Sequence, residues 1–417
     1  MRLLQEYLKA TIDVFELLLF FIGVYYTLVG LFSFFGAPVK KRREFANVDY
    51  SVKNKFAIIV PAHNEAKVLP GLLRSIYRSE YPKELYRVYV IADNCSDGAA
   101  EIARKHGAFV VERFDSENIG KNHALSYAFE YLQKEKNDYD CYVVIDADNI
   151  IDVNFLNELN EAFRSGSEVV QGYVDSKNPY ENWLSAAYSM WHWIENRVRQ
   201  TAYHNLGLGC KLSGTGFALK KEVLDAVPWT CESLAEDLEY TVLLNLSGIK
   251  IDYAKYAVVY DEKPARFKSS VMQRLRWCKG IVDVQGRYGF KLLKKRKICA
   301  WLNLYAEPLS LICYMFFMII GLLAAISNIS GVNVSCCELW TNPISSFTLN
   351  LYLFGNLLIV IFGLIIDKKM NKLTFANLFG FILYILSWIP IGIIGFFRHN
   401  NKNWYHTKHS GSFYEPD

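Results

Sequence analysis

A cytoplasmic α/β domain joined to a bundle of membrane-crossing helices is the fold class that this sequence predicts, and three observations predict it. Between Phe56 and Gln171 short apolar runs alternate with amphipathic stretches, the pattern of a parallel sheet with crossover helices. Four stretches, 17–39, 308–337, 339–366 and 373–397, contain no Asp, Glu, Lys or Arg, and each reaches the roughly 20 residues a helix needs to cross a bilayer. The 417-residue chain is 52% hydrophobic and 21% charged, against about 25% charged for an average soluble domain, and those stretches hold the deficit. A wholly soluble protein and a disordered one are both excluded.

Taken in order, the first apolar stretch starts too far in and runs too long for a signal peptide, and no small-residue cleavage site follows it. Strands are expected at 56–60, 87–92, 108–111, 141–145 and 168–172. The first helix of the domain carries Val68, Leu69, Leu72, Leu73, Ile76 and Tyr77 at three- and four-residue spacing, which makes one buried face. Ser96 reads as the N-cap of the next helix, and 121–133 and 154–163 complete two more. Helical patterns resume at 181–201, 233–247 and 269–288. The basic stretch 286–297 interleaves Arg287, Lys291, Lys294, Lys295, Arg296 and Lys297 with Tyr288, Phe290, Leu292 and Leu293, which suits a helix on the inner leaflet or a solvated linker. The expected organisation is a spanning helix with a basic flank (1–43), a cytoplasmic α/β domain (44–285), an interface segment (286–302), further spans (303–397) and a basic tail (398–417).

Lys40, Lys41, Arg42 and Arg43 follow the first span, whereas 327–346 has no Lys or Arg, so the positive-inside rule puts 43–300 in the cytoplasm of a multi-pass plasma-membrane protein. Three later spans would leave Arg398, Lys402 and Lys408 outside, against the rule, so one of the last apolar segments is expected to be re-entrant or interfacial. The net charge of +4 and the absence of nucleic-acid motifs exclude nucleic acid as a partner. Nine cysteines, adjacent only at Cys336 and Cys337, support neither a disulfide framework nor a zinc site.

In an open α/β sheet ligands bind beyond the carboxyl ends of the strands. The first expected strand ends in Pro61-Ala62-His63-Asn64-Glu65, the second in Asp93-Asn94-Cys95-Ser96-Asp97 and the fourth in Asp146-Ala147-Asp148-Asn149. Two carboxylates emerging together would repel. A hard cation, Mg²⁺ or Mn²⁺, resolves that by completing its shell with phosphate oxygens, although two solvated loop aspartates would read the same way. Asp93 could accept from a nucleobase or ribose, or be a turn aspartate. Lys121 follows Gly120 at a helix start, where free N–H groups and a cation favour phosphate. Within Glu236-Asp237 one carboxylate could act as general base, or both could simply face the helix dipole. Gln273, Arg276 and Trp277 fall on one side of a helix, presenting an amide, a guanidinium and an indole together, unless Trp and Arg only anchor the membrane surface.

These motifs, with Gly214-Thr215-Gly216 and Gln273-Arg274-Leu275-Arg276-Trp277, stand in the order found in membrane-embedded family 2 glycosyltransferases, and the chain resembles the processive polysaccharide synthases of that family. The resemblance covers about residues 55–300, with 171–244 closest to a bacterial exopolysaccharide subgroup. It implies a GT-A-like (Rossmann-like) domain that is metal-dependent and inverting, with a UDP-sugar as donor and a growing polysaccharide as acceptor. It places Asp93 on the nucleotide, Asp148 and Asp146 on metal and diphosphate, Asp237 as base beside Glu236, and Trp277 under the acceptor. Pro61, Glu65, Lys121, Gln273, Arg274 and Arg276 join the donor site, and Gly214 and Thr215 the acceptor site. Ala235 departs from the family's frequent threonine, and only 398–417 follows the last span, so second-messenger control within the chain is not expected. A lipid-linked acceptor is the alternative, and a non-catalytic nucleotide-sugar receptor a more distant one. A homo-oligomer stays open, because four spans make a narrow bundle. Trp183, His192 and Tyr203 are candidates for reading the sugar.

Overall fold

The computed structural model describes residues 2–34, 53–135, 138–330 and 357–401. Lys40 to Arg43, Cys336, Cys337 and the tail from Lys402 lie outside them, as does most of the third expected span. Helix α1 (Arg2–Phe32) precedes the domain. The domain then runs β1 (Phe56–Ala62), α2 (Leu69–Tyr77), β2 (Tyr86–Asp93), α3 (Ala99–Lys105), β3 (Phe109–Arg113), α4 (Lys121–Lys134), β4 (Cys141–Val144), β5 (Ile150–Ile151), α5 (Phe155–Arg164) and β6 (Val169–Ser176). Helix α6 (Trp183–Ile194) continues through a widened turn, Glu195–Thr201, into α7 (Ala202–Asn205). Strand β7 (Phe217–Lys220), α8 (Lys221–Ala226), α9 (Glu236–Ser247), β8 (Ile251–Asp261) and the 28-residue α10 (Phe267–Lys294) complete it.

The sheet order is β3-β2-β1-β4-β7-β6-β8-β5. The half β3-β2-β1-β4 is parallel, but β7 lies antiparallel between β4 and β6, and β5 pairs antiparallel with β8. The all-parallel expectation is therefore corrected to a mixed sheet. The parallel strands are buried on both faces and read as continuous apolar runs, whereas β8 alternates buried with half-exposed residues, Asp252 and Lys255 among them, and gives no such run. Two apolar layers, one on each face, hold the sheet, with Ile59, Ile91 and Val144 on one side and Ile58, Val60 and Val143 on the other.

Ser96 does not cap α3. Gly98, at φ +82°, occupies that position, and Asp97 Oδ1 accepts the Ala99 N–H instead. The stretch 286–297 is mostly the last turns of α10, whose Leu292 is buried with Val242, Val284 and Leu304. The domain boundary expected at 285/286 thus falls inside one helix.

Beyond the domain stand α11 (Ile298–Ser330), α12 (Leu357–Ile366), α13 (Lys372–Ala376), α14 (Leu378–Leu386) and α15 (Trp388–Phe397). Among the described residues two segments, Asp13–Phe32 and Leu378–Phe397, are long and apolar enough to cross a membrane.

Candidate active site

One cavity of about 890 Å³ opens at the carboxyl ends of β1, β2 and β4 and runs on between α6, α10, α11 and α15. Pro61, Glu65, Asp93, Lys121, Asp146, Asp148, Gly214, Thr215, Glu236, Asp237, Gln273, Arg276 and Trp277 all line it. Residues from seven separate stretches of chain thus meet in one space. Arg274, expected with the donor-site residues, does not. It is fully buried on the opposite side of α10, donates to Tyr384 O and Ser387 Oγ, and stacks on Tyr188, Tyr384 and Trp388. The helical period explains the correction: two residues on from Arg274, Arg276 turns to the cavity and donates to Leu234 O at 2.9 Å.

At the strand tips, buried Asp93 accepts from Arg113 Nη1 at 2.7 Å and from Asn94 Nδ2 at 3.0 Å, which fixes its carboxylate at the cavity wall. Lys121 Nζ lies 2.5 Å from Asp146 Oδ1 and 3.8 Å from Glu236 Oε1, and donates to Gly214 O at 2.7 Å. One ammonium therefore ties the tip of β4 to the start of α9. Burial pulls its pKa down, but Asp146 and Glu236 more than offset this and the net shift is upward. Burial pushes both carboxyls, Asp146 and Glu236, above their ordinary range despite that cation.

Asp148 is held from behind: Asn149 Nδ2 donates to its Oδ1 at 2.9 Å and to Asp261 Oδ1 at 3.0 Å, while Lys177 Nζ donates to its carbonyl. Asp261 also lines the cavity. The pair Asp146 and Asp148 offers hard carboxylate oxygens, the donor chemistry that fits Mg²⁺ or Mn²⁺. Among the described residues no group of three or more His, Cys, Asp or Glu is placed to hold a metal ion; a divalent ion on this pair would take its other ligands from phosphate and water.

The loop 213–216 joins the two sides. Thr215 Oγ1 accepts from Asp146 N at 3.0 Å and donates to Asn149 Oδ1 at 2.5 Å. Gly214, at φ +81°, stands beside Asp237, whose Oδ2 an added Cβ would meet in ordinary contact at 3.4 Å. The left-handed backbone, rather than a lack of space, is what favours glycine here. Helix α9 opens with Glu236, Asp237 and Glu239 in its first turn, where its dipole favours anions. Fully buried Glu239 accepts from Glu232 N, Ser233 N and Tyr288 Oη and pairs with Arg287, clamping this helix start to α10. Ala235 has a steric counterpart. An added Cβ on Gly280 of α10 would lie 2.6 Å from Ala235 Cβ, so two small residues let α9 and α10 touch.

Trp277 stacks with Trp191 at 6.1 Å and with Trp388 at 6.2 Å, forming an indole shelf along the cavity. Gln273 Oε1 is buried without a hydrogen-bond partner among the described residues. Past the shelf one wall is polar, with Glu195, Arg199, Lys211, Asn303 and Glu307, and the far end is apolar, with Ile312, Met315, Ile389, Ile393, Phe396 and Phe397. Of the three sugar-reading candidates only His192 lines the cavity. Its Nδ1 faces Tyr188 O at 2.9 Å and burial pushes its pKa down to about 3, so the ring is neutral and its Nε2 is an acceptor. Trp183 packs on Gly380, and Tyr203 bonds to Tyr25 and Asn303.

Sequence reasoning missed Asp261, Glu195 and Arg199. Asp261 ends β8 as Asp93 ends β2, so the strand-tip rule reaches it once β8 is recognised.

Residues 54–280 match the model of the family described as glycosyltransferase like family 2. The chain belongs to that family, and it is a glycosyltransferase. It is 24% identical over 403 residues to the poly-beta-1,6-N-acetyl-D-glucosamine synthase of Staphylococcus epidermidis, covering 90% of each chain. It is 25% identical over 378 residues to the beta-monoglucosyldiacylglycerol synthase of Trichormus variabilis, covering 85% of this chain and 76% of that one. A probable glycosyltransferase, YdaM of Bacillus subtilis, is 23% identical over 270 residues, 58% of this chain and 60% of its own length. Among solved structures, a mannosyltransferase of Pyrobaculum calidifontis in complex with GDP-Man and Mn²⁺ superposes with a TM-score of 0.50 at 17% identity, over 89% of this chain and 99% of that one. The α/β domain is thus GT-A-like.

Proposed function

We propose that this family 2 glycosyltransferase is membrane-embedded and moves a sugar from a nucleotide diphosphate donor, a UDP-sugar, onto a growing polysaccharide with inversion at the anomeric carbon. The observation that carries the reading is that Asp237, the Asp146–Asp148 tip and the Trp277 shelf share one cavity. Asp93 and the strand tips receive the nucleotide. Asp237 takes the proton of the acceptor hydroxyl while Trp277 supports the acceptor ring and Gln273 offers its open amide oxygen. Lys121 and Arg276 offset charge on the departing diphosphate, where it develops in the transition state. Asp148 and Asp146 would hold Mg²⁺ or Mn²⁺, which when bound supplies Lewis-acid stabilisation of that leaving group. The Pyrobaculum enzyme, with GDP-Man and Mn²⁺, supports a nucleotide-diphosphate sugar and a divalent metal. The polar wall beyond the shelf suits a hydroxyl-rich chain moving outward.

A second reading has its own observation. The apolar end of the cavity suits an acyl or isoprenoid chain, so that one sugar is added to a lipid-linked acceptor, in keeping with the glycolipid-synthase relative. Incubating purified protein with labelled nucleotide sugars and sizing the product decides: a ladder or long polymer supports the first reading, and one lipid-soluble product supports the second. No nucleoside diphosphate released from any donor would sink both.

A further inference from the structure

The segment from α13 to α15 meets the domain differently from α11. Helix α11 touches the domain near its start, through Asn303, which accepts from Tyr203 and Tyr25, and through Glu307, paired with Arg199. Residues 369–401, by contrast, are pinned to the domain at both ends and in the middle. Ahead of α13, Lys369 Nζ pairs with Asp175 at 2.7 Å and Asn371 Nδ2 donates to Tyr180 Oη at 2.7 Å. Midway, Gly380 lies against Trp183, and Arg274 holds Tyr384 O and Ser387 Oγ. At the far end Gly395 meets Cys278, and Lys279 Nζ donates to Asn401 O at 3.0 Å. A helix leaving the domain to cross about 30 Å of hydrocarbon could not keep contacts with the domain along its whole length.

The face turned away from the domain is apolar throughout. Phe375, Phe379, Ile382, Leu386 and Ile394 recur at three- to eight-residue steps and are 44–71% exposed. In water such a stripe would be a large uncovered patch. Exposed cations stand at its two ends, Lys368 and Lys372 before it and Arg398 after it, placed to meet anionic headgroups. Phe362, Ile365 and Ile366 of α12, which precedes the stripe in the chain, are exposed too.

We propose, resting on the membrane reading above, that residues 372–397 do not cross the bilayer. They lie along its inner surface, the exposed stripe set among acyl chains and the other face forming the floor of the catalytic domain, and residues 398–401 are on the catalytic side. The occupant of the stripe is lipid, and the arrangement removes the parity conflict that three later spans create. It also places Trp388, Ile389 and Ile393, which line the cavity, at the lipid boundary.

The test uses the full-length chain in right-side-out and inside-out membrane vesicles, with Lys372→Cys, Asn400→Cys and, on the domain surface, Glu84→Cys, each treated with a membrane-impermeant maleimide and compared with the parent. All three should label from the same face, and labelling of Asn400→Cys from the face opposite Glu84→Cys overturns the proposal. Phe379→Cys carrying an environment-sensitive fluorophore should be quenched by brominated phospholipids. Lack of quenching, with or without disulfide-linked dimers through that cysteine, overturns lipid as the occupant. Release of nucleoside diphosphate by the same preparations reports the glycosyltransfer reading separately. Recovery of the chain in the soluble fraction would overturn the membrane reading and this proposal together.

Discussion

The two halves of the sheet build their shares of the cavity by different means. In the parallel half, β3-β2-β1-β4, strand tips simply deliver Asp93, Asp146 and Asp148 to the ends where α/β sheets bind ligands. In the mixed half, close backbone approach does the positioning. Gly172 leaves no room for a Cβ, which would lie 2.5 Å from Ala257 O, and Gly216, at φ +64°, sits directly on Val259. That packing presses the 213–216 loop against Asp237 and Lys121. The parallel half therefore places its carboxylates by strand position alone and the mixed half places Asp237 through backbone packing, and substitutions in the two should fail in different ways.

The largest effects are expected at the two carboxylates that stand on either side of this division. Asp148→Asn and Asp237→Asn should each lower turnover at least ~10²-fold, the low end for a general base. The halves separate in the second readout. Asp237→Asn should keep metal-dependent nucleotide binding, measured by calorimetry, whereas Asp148→Asn should lose it. Near-normal turnover in either purified variant removes that residue from the mechanism, and identical binding in both erases the division.

Next come the two arginines of α10, one facing each way. Arg276→Ala should cost roughly 10- to 100-fold in turnover, as expected for a charged hydrogen-bond donor lost from the site, with little change in thermal midpoint. Arg274→Ala should instead destabilise the fold by about 3 kcal/mol, the scale of a large buried side chain removed, and leave turnover per folded molecule nearly intact. The reverse pattern would mean that the helix is rotated in the working enzyme. Gly216→Ala should be smaller, about 2 kcal/mol, because its Cβ collides with Val259 in a backbone conformation that alanine resists. Thermal unfolding in detergent, read beside activity, measures both.

The same division governed what could be read from the residues alone. Strands in the parallel half announce themselves as apolar runs, Ile58-Ile59-Val60 or Val143-Val144-Ile145, with carboxylates just beyond. The mixed half is quieter. Strand β7 has four residues, and β8 carries the half-exposed Asp252, Lys255 and Asp261, so neither stands out, and Asp261 goes unseen with its strand. Arg274 shows the other limit. Spacing along a helix separates its faces, but only the partner helices, here α6, α14 and α15, decide that one face is sealed by Tyr188, Tyr384 and Trp388.

The smallest expected effect concerns Glu236, which sits where the halves meet. Burial raises its carboxyl pKa, with Lys121 and Arg276 pulling the other way without prevailing. Folding therefore favours the protonated acid. Its contribution to stability is fully present below the ordinary glutamate range and is lost as pH rises through the raised, folded value. Glu236→Gln removes the buried charge while keeping the shape, so the variant should unfold at a higher temperature than the parent at pH 8, and the gap should close as the pH falls toward 4. Lys121, whose own pKa is raised, stays charged across that window and does not confuse the comparison. Thermal midpoints of parent and variant from pH 4 to 8 give the answer. A gap of the opposite sign at pH 8 would mean that the attraction between Lys121 and Glu236 outweighs the cost of burying the carboxylate, and that the cation bridging the two halves strengthens the fold as well as serving the donor site.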